Sequence, residues 1–316
     1  LDQPPVDANK MISQFPSQIV NLYTEIMFTS MITKAYSAIE NSLNQRKEES
    51  FNELFTAILN RINTQIQKLS QIIQNNYKQQ FSNLLLILSR HKQIVSQILN
   101  DHLMTSSSNL WISSPKYFVD DENTNVTVSI AGVTMNYGFD YVGISSLPLY
   151  GDNKYICNSF ALLIDSGFSP LICGPRRIEK TNLVINFAHM IGRQPFFFPC
   201  VSHSSFEKIQ KMAENVSKIN SFLVIKGLLK LKPDVLNQLS VMLLNTRNKR
   251  NSDCSIFATM SVEQGKSISE VFRVAFRPII FNDFDCHSVL SSLFVAHGIN
   301  DYEKIVSKIE TLFSLF

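Results

Sequence analysis

The sequence predicts an α/β unit built on a five-stranded, mostly parallel sheet, preceded by an all-helical region. Three observations carry this. All ten glycines lie at Gly132 or later, and no proline falls between Pro16 and Pro115, so the stretch between those prolines lacks the strongest helix breakers. From about residue 146 onward, short apolar runs alternate with helical patterns, as a parallel sheet covered on both faces requires. One of these runs leads directly into Gly174-Pro175-Arg176-Arg177-Ile178-Glu179-Lys180-Thr181 and then an amphipathic stretch: strand, loop and helix in that order.

In the first third, Phe51, Phe55, Ile58, Ile62, Ile66, Leu69 and Ile73 recur at steps of three or four, giving one apolar helical face. Ile19, Leu22, Ile26, Met27, Ile32, Ala35 and Ile39 repeat the pattern, as do Leu84, Leu88, Ile94 and Ile98. The spacing predicts helices over 17–45, 48–80 and 81–104, with a turn near Asn75-Asn76 or Ser89. A bundle is expected; a coiled-coil scaffold is the alternative, because the same spacing suits a seam. Residues 105–109 read as a loop and Asn125–Ile130 as an alternating strand. Further strands are predicted at Pro170–Cys173, Phe196–Val201, Phe222–Ile225, Ser255–Met260 and Pro278–Phe281. Helices are predicted over 153–167, 180–191, 204–217, 232–246 and 285–297. Phe196-Phe197-Phe198 reads as a buried strand.

Composition narrows the function. A net charge of +3 with scattered basic residues does not favour nucleic acid. No apolar run approaches the roughly 18 residues of a membrane span. The five cysteines, Cys157, Cys173, Cys200, Cys254 and Cys286, form no CxxC pair and have no histidine cluster beside them, so no zinc site is expected. They read as buried free thiols in a reducing, cytosolic setting. His189, His203 and His287 have no partner at ligand spacing. The chain opens at Leu1 without a signal-like segment, and the expectation is a piece of a longer protein.

The loop has the spacing G-x-x-x-x-G-K-[ST], in which backbone N–H groups cradle phosphates and the lysine reaches them. Its sixth position should be glycine and is Glu179.

Beyond the loop, a series of segments resembles the dynein heavy chain, at the end of its linker and the first AAA+ module of its motor ring. Trp111-Ile112 through Asp120-Asp121 looks like the family's "W-L-x-x-L-R-Y-Y-W" segment. Asn136 through Gly143 is close to "xYGYEYLG", and Leu147-Pro148-Leu149 to the "TPLT" that borders the adenine pocket. Gly174-Pro175 through Lys180-Thr181 matches "GPAGTGKT". Ser255 through Met260 resembles "xxFITMNPG", and Ala275 through Ile279 is close to "LFRPV". The resemblance implies an AAA+ P-loop fold divided into a helical linker region (1–110), a β-containing connector (111–145), the large α/β subdomain (146–284) and the start of a helical lid (285–316). It implies Gly174, Pro175, Arg177, Glu179, Lys180 and Thr181 as the nucleotide loop and Pro148 and Leu149 as the adenine pocket. Arg277 takes the position of the arginine finger. The implied nucleotide is ATP or ADP. The implied partners are neighbouring AAA+ modules and the linker of the same heavy chain, other dynein subunits, and microtubules only through regions this chain lacks. Neither nucleic acid nor membrane is among them. The implied location is the cytoplasm, cytoskeleton or axoneme.

The departures from the family bear on chemistry. Where the family's Walker B strand ends in Asp-Glu, this chain has Lys226-Gly227, and the sensor asparagine is Ser261. The Asp holds magnesium and the Glu positions the attacking water; lysine and glycine do neither. A carboxylate about 4 Å from a phosphate costs roughly 4 kcal/mol at an effective dielectric near 20, so Glu179 also opposes nucleotide, with Arg176 and Arg177 as a partial offset. No catalytic residue and no metal are expected, and magnesium is doubtful. A Lys226–Glu179 contact filling the loop from within is one expectation. Lys226 standing in for magnesium is another. The expected function is a silent structural module of a motor ring, with a nucleotide-binding or weakly active ATPase module as the alternative. Trp111 is expected to pack the helical part against the α/β part.

Overall fold

The computed structural model describes residues 14–42, 46–75, 79–120, 122, 125–143, 152–176, 178–247, 255–261, 270–281, 286–299 and 302–314. They fall into two compact units. One holds the described residues of 1–136, 143–151 and 285–316; the other holds those of 137–142 and 152–284.

The first unit begins with three long helices, α1 (Ser17–Asn41), α2 (Lys47–Asn75) and α3 (Gln79–Asn100). Each packs on the other two, so they form a bundle rather than a two-stranded seam. α3 is continuous through Ser89, where a turn was one expectation. The α2 stripe is buried as its spacing dictates, from Phe51 to Ile73, with Ile66 only partly covered. The buried face of α1 holds the predicted Leu22, Ile32, Ala35 and Ile39, but Glu25 and Phe28 point inward where Ile26 and Met27 were expected, and Ile19 is exposed. Aromatic packing sets the core, with Tyr36 and Phe51 at 5.2 and 5.0 Å from Phe55.

Glu25 therefore sits on an apolar face, and the fold supplies its partners from α3. Its carboxylate accepts hydrogen bonds from Arg90 and, at 3.0 Å, from His91 Nε2, whose ring stacks flat on Phe28 at 3.7 Å. Burial pushes the Glu25 pKa up, but the Arg90 guanidinium and the His91 bond outweigh it and the net shift is downward. Burial holds the His91 pKa down despite Glu25, so a neutral imidazole donates to an ionised carboxylate.

A short helix α4 (Asn109–Ile112) leads to an antiparallel sheet of β1 (Lys116–Val119), β2 (Val126–Ile130) and β3 (Val133–Asn136). Only β2 was legible in the sequence as a strand. Tyr117 N–H donates to Thr29 Oγ1 at 3.0 Å and ties β1 to α1. Trp111 is buried within this unit, 6.2 Å from Phe28 and 6.3 Å from Tyr36. It thus contributes to the helical core. The late helices α10 (Cys286–Ala296) and α11 (Glu303–Ser314) belong here too, α10 against α3 and α11 against α10.

The second unit runs α5 (Asp152–Asp165), β4 (Ser169–Gly174), α6 (Lys180–Met190), β5 (Phe196–Pro199), α7 (Phe206–Lys218), β6 (Phe222–Lys226), α8 (Pro233–Arg247), β7 (Ser255–Ser261), α9 (Glu270–Ala275) and β8 (Phe276–Ile280). The sheet order is β5-β6-β7-β4-β8, and every pairing is parallel. Side chains alternate between faces. Phe222 and Phe257 meet Phe160 of α5 and Phe187 of α6 on one face, with ring centroids 5.1 to 6.1 Å apart. Leu171, Cys173, Leu223, Ile225 and Ala258 face the other way with α7 and α8 residues such as Ile209 and Leu239. Burying each such ring or aliphatic chain contributes about 1.5–3 kcal/mol. The Phe196-Phe197-Phe198 run is not a buried central strand: β5 is an edge, and Phe196 is 36% exposed.

Candidate functional site

The loop between β4 and α6 lies at the carboxyl edge of the sheet, beside its middle, where α/β sheets place ligands. Gly174 ends β4 and is level with Ser261, the last residue of β7. Only glycine fits at 174: an added Cβ would lie 2.0 Å from the Phe281 carbonyl oxygen and 2.7 Å from Ile178 Cδ1. That carbonyl is fixed because Phe281 N–H donates to Cys173 O at 2.7 Å.

Lys180 opens α6 and is buried. Its ammonium donates to Gly174 O at 3.1 Å and to Pro175 O, so it ties helix to strand end across the loop. Burial lowers its pKa, against a smaller opposing effect from Cys173. Burial in turn pushes the Cys173 thiol up to about 11, which keeps it an inert neutral neighbour. Thr181 follows in the first helical turn, partly exposed.

Glu179 takes the backbone conformation that glycine would supply, φ 58° and ψ 27°. Its side chain does not enter the loop. It is exposed, and its Oε2 accepts from Asn182 Nδ2 at 3.2 Å. The expected Lys226–Glu179 contact is not formed. Lys226 lies at the end of β6, level with Thr259 of β7 and Pro199 of β5, and its ammonium sits 4.1 Å from the Phe197 ring centroid. Gly227 follows at φ 72° and donates to Thr259 O at 3.0 Å. The geometry thus brings Gly174, Pro175, Glu179, Lys180, Thr181 and Ser261 to one edge, with Lys226 two strands away on that edge.

Arg277 is placed elsewhere. It is exposed at the start of β8, level with Pro170, and stacks 4.3 Å over Phe168. That is the amino end of the sheet, away from this chain's own loop. Arg177, Pro148, Leu149 and Cys254 lie outside the described residues. Among the described residues, no group of three His, Cys, Asp or Glu could hold a metal ion, and no helix is long and apolar enough to cross a membrane.

The segment Tyr137–Asp140 is clamped to the far end of α6. Gly138 and Asp140 N–H groups donate to Ile191 and Gly192 carbonyls at 2.8 Å, and Asp140 Oδ2 accepts from Gln194 N at 3.0 Å. The Tyr137 ring covers Gly192 so closely that a Cβ there would lie 2.4 Å from it. Sequence reasoning missed Phe197, Asn182 and the Phe281 carbonyl. Asn182 had a local signal, three residues beyond Glu179 on a helix start; the other two are neighbours only across strands.

No family model matches the chain. Curated relatives do. A cytoplasmic dynein heavy chain of Dictyostelium discoideum is 22% identical over 337 aligned residues, covering 97% of this chain and 7% of the relative. The cytoplasmic dynein heavy chain of Saccharomyces cerevisiae is 21% identical, covering 96% of this chain and 8% of its own length. Human dynein axonemal heavy chain 6 is 22% identical over 78% of this chain and 6% of itself. A solved structure of Caenorhabditis elegans PCH-2 overlaps 48% of each chain at 16% identity and a TM-score of 0.35, too loose to carry an argument. The chain is distantly homologous to dynein heavy chains over most of its length, and spans about 6–8% of the length of these relatives.

Proposed function

We propose that this chain is a segment of a dynein heavy chain-like motor ring whose α/β unit is a catalytically silent AAA+ module. In this reading residues 1–110 are the helical end of the linker, 111–145 the connector, 146–284 the large subdomain and 285–316 the first lid helices. The observation that supports silence best is the end of β6. A hydrolytic P-loop site needs a carboxylate there to hold magnesium and another to orient water. This strand ends in Lys226-Gly227, with the ammonium over Phe197. A cation repels the metal, and a glycine has no group to polarise water.

The retained parts then have structural work. Lys180 fastens Gly174 and Pro175 to the helix, and Arg277 is free of its own loop to meet a neighbouring module. Arg177, Pro148 and Leu149 would complete any residual nucleotide contact, with Ser261 in the sensor position. Partners are the adjacent modules and linker of the same heavy chain, other dynein subunits and, through other regions, microtubules, in a cytoplasmic or axonemal setting. Steady-state ATP turnover of wild type and Lys180→Ala, with and without magnesium, tests this. The expected rate is indistinguishable between the two proteins. A magnesium-dependent rate that Lys180→Ala abolishes refutes it.

A further inference from the structure

We infer that the altered loop takes a nucleoside di- or triphosphate without magnesium, the Lys226 ammonium standing where the metal would. The inference rests on reading the loop as a nucleotide site. A magnesium site here needs a hydroxyl from the first helical turn and an acid at the end of the strand beyond. Thr181 supplies the hydroxyl. The acid is replaced by Lys226, and magnesium, a hard cation, binds through oxygen donors. The residues present do not fit the metal, but they do fit the polyphosphate itself.

Lys226 lies on the sheet face that α6 covers, because Phe222, four residues earlier on the same strand, stacks on Phe187 of α6. The lysine is partly exposed at the carboxyl edge. Its cation rests on the Phe197 ring, and among the described residues no carboxylate pairs with it. A partly exposed ring contact is weak beside a charge-assisted bond to phosphate, so the ammonium can leave the ring for an anion. Its strand is two spacings, about 10 Å, from β4, a gap bridged by the lysine stem from one side and a phosphate chain from the other. Glu179 leaves the approach open, since its carboxylate is turned to Asn182. Among the described residues, the positive groups at this edge are Lys180, Lys226 and the amino end of α6, which favour anions. A free polyphosphate gains these positive groups against the single opposing carboxylate of Glu179, whereas a magnesium-bound one brings a dication against Lys226.

Isothermal titration of ADP and ATP into the 316-residue chain, once in EDTA and once in magnesium, tests this alongside Lys226→Met and Lys226→Asp. Circular dichroism checks that each variant is folded. The expected wild-type affinity in EDTA equals or exceeds that in magnesium. Lys226→Met should weaken metal-free binding about tenfold, the scale of one charge contact with phosphate, and Lys226→Asp should make binding require magnesium. Wild-type binding that appears only with magnesium, or metal-free binding that neither substitution changes, overturns the inference. Heats that show no binding in either buffer also overturn it, and leave the silent-module reading standing. Magnesium-dependent hydrolysis lost in Lys180→Ala overturns both.

Discussion

Glu179 holds a left-handed backbone conformation, φ 58° and ψ 27°, at the loop position where glycine is expected. For a residue with a Cβ this costs roughly 1–2 kcal/mol. Replacing it with glycine removes that strain but adds about 0.4–1 kcal/mol of unfolded-state entropy. The net gain expected for Glu179→Gly is about 0.5–1 kcal/mol. Glu179→Ala separates strain from charge, since it deletes the exposed bond to Asn182 Nδ2 but keeps the Cβ and hence the strain. Differential scanning calorimetry of the three proteins is the assay. The glycine variant should unfold about 1–4 °C above the alanine variant, on the scale of 2–4 °C per kcal/mol. Alanine should be no more stable than glutamate. If glycine melts at or below alanine, then either the left-handed conformation or its assigned cost is wrong, and the loop is not held in the shape described.

Three further outcomes follow from the packing. Gly174→Ala places a methyl 2.0 Å from the Phe281 carbonyl oxygen, and forcing β8 away from β4 should cost about 1–3 kcal/mol in urea unfolding; no loss would mean the edge is looser than its geometry. Phe187→Ala empties the aromatic cluster between α6 and the sheet and should cost about 3–5 kcal/mol in the same assay. Acid should unfold the helical unit in two stages. His91 and Glu25 both have lowered folded pKa values, so the unfolded state binds more protons and stability is lost as the pH falls. The loss begins below the ordinary histidine value of 6.5 and resumes below the ordinary carboxylate value of 4.5. Circular dichroism melts across that range should show both, and His91→Gln should remove the upper stage and weaken the lower one, since His91 helps hold the Glu25 pKa down.

Much of the fold was legible because its signals are local. The α2 stripe at steps of three and four, the apolar runs of β4, β6 and β7, and the helix beginning at Lys180 each follow from residues adjacent in sequence. The prediction on α1 went astray over a single turn. It used Ile26 and Met27, whereas the buried stripe passes through Glu25 and Phe28. Glu25 falls three residues from both Leu22 and Phe28, and that spacing was the clue. A lone acid on an apolar face requires a buried partner, but naming Arg90 and His91, more than sixty residues on, required the packed helices. The short strands β1 and β3 were missed because four-residue runs carry little periodicity.

The site divides in the same way. The sequence by itself determined which side chains are present: a lysine and threonine after a glycine-led loop, a glutamate in the last glycine's place of its motif, and Lys226-Gly227 without a carboxylate. Side-chain identity sets what a position can ligate or protonate, wherever it folds. Only the tertiary structure decided where those groups point. Strand order makes β5 an edge and brings Phe197 beneath the Lys226 ammonium. The helix start turns Glu179 toward Asn182 instead of into the loop, and β8 fixes the carbonyl that admits only glycine at 174. These contacts join residues distant in sequence or depend on one backbone angle, and neither is written in a linear pattern of residue types.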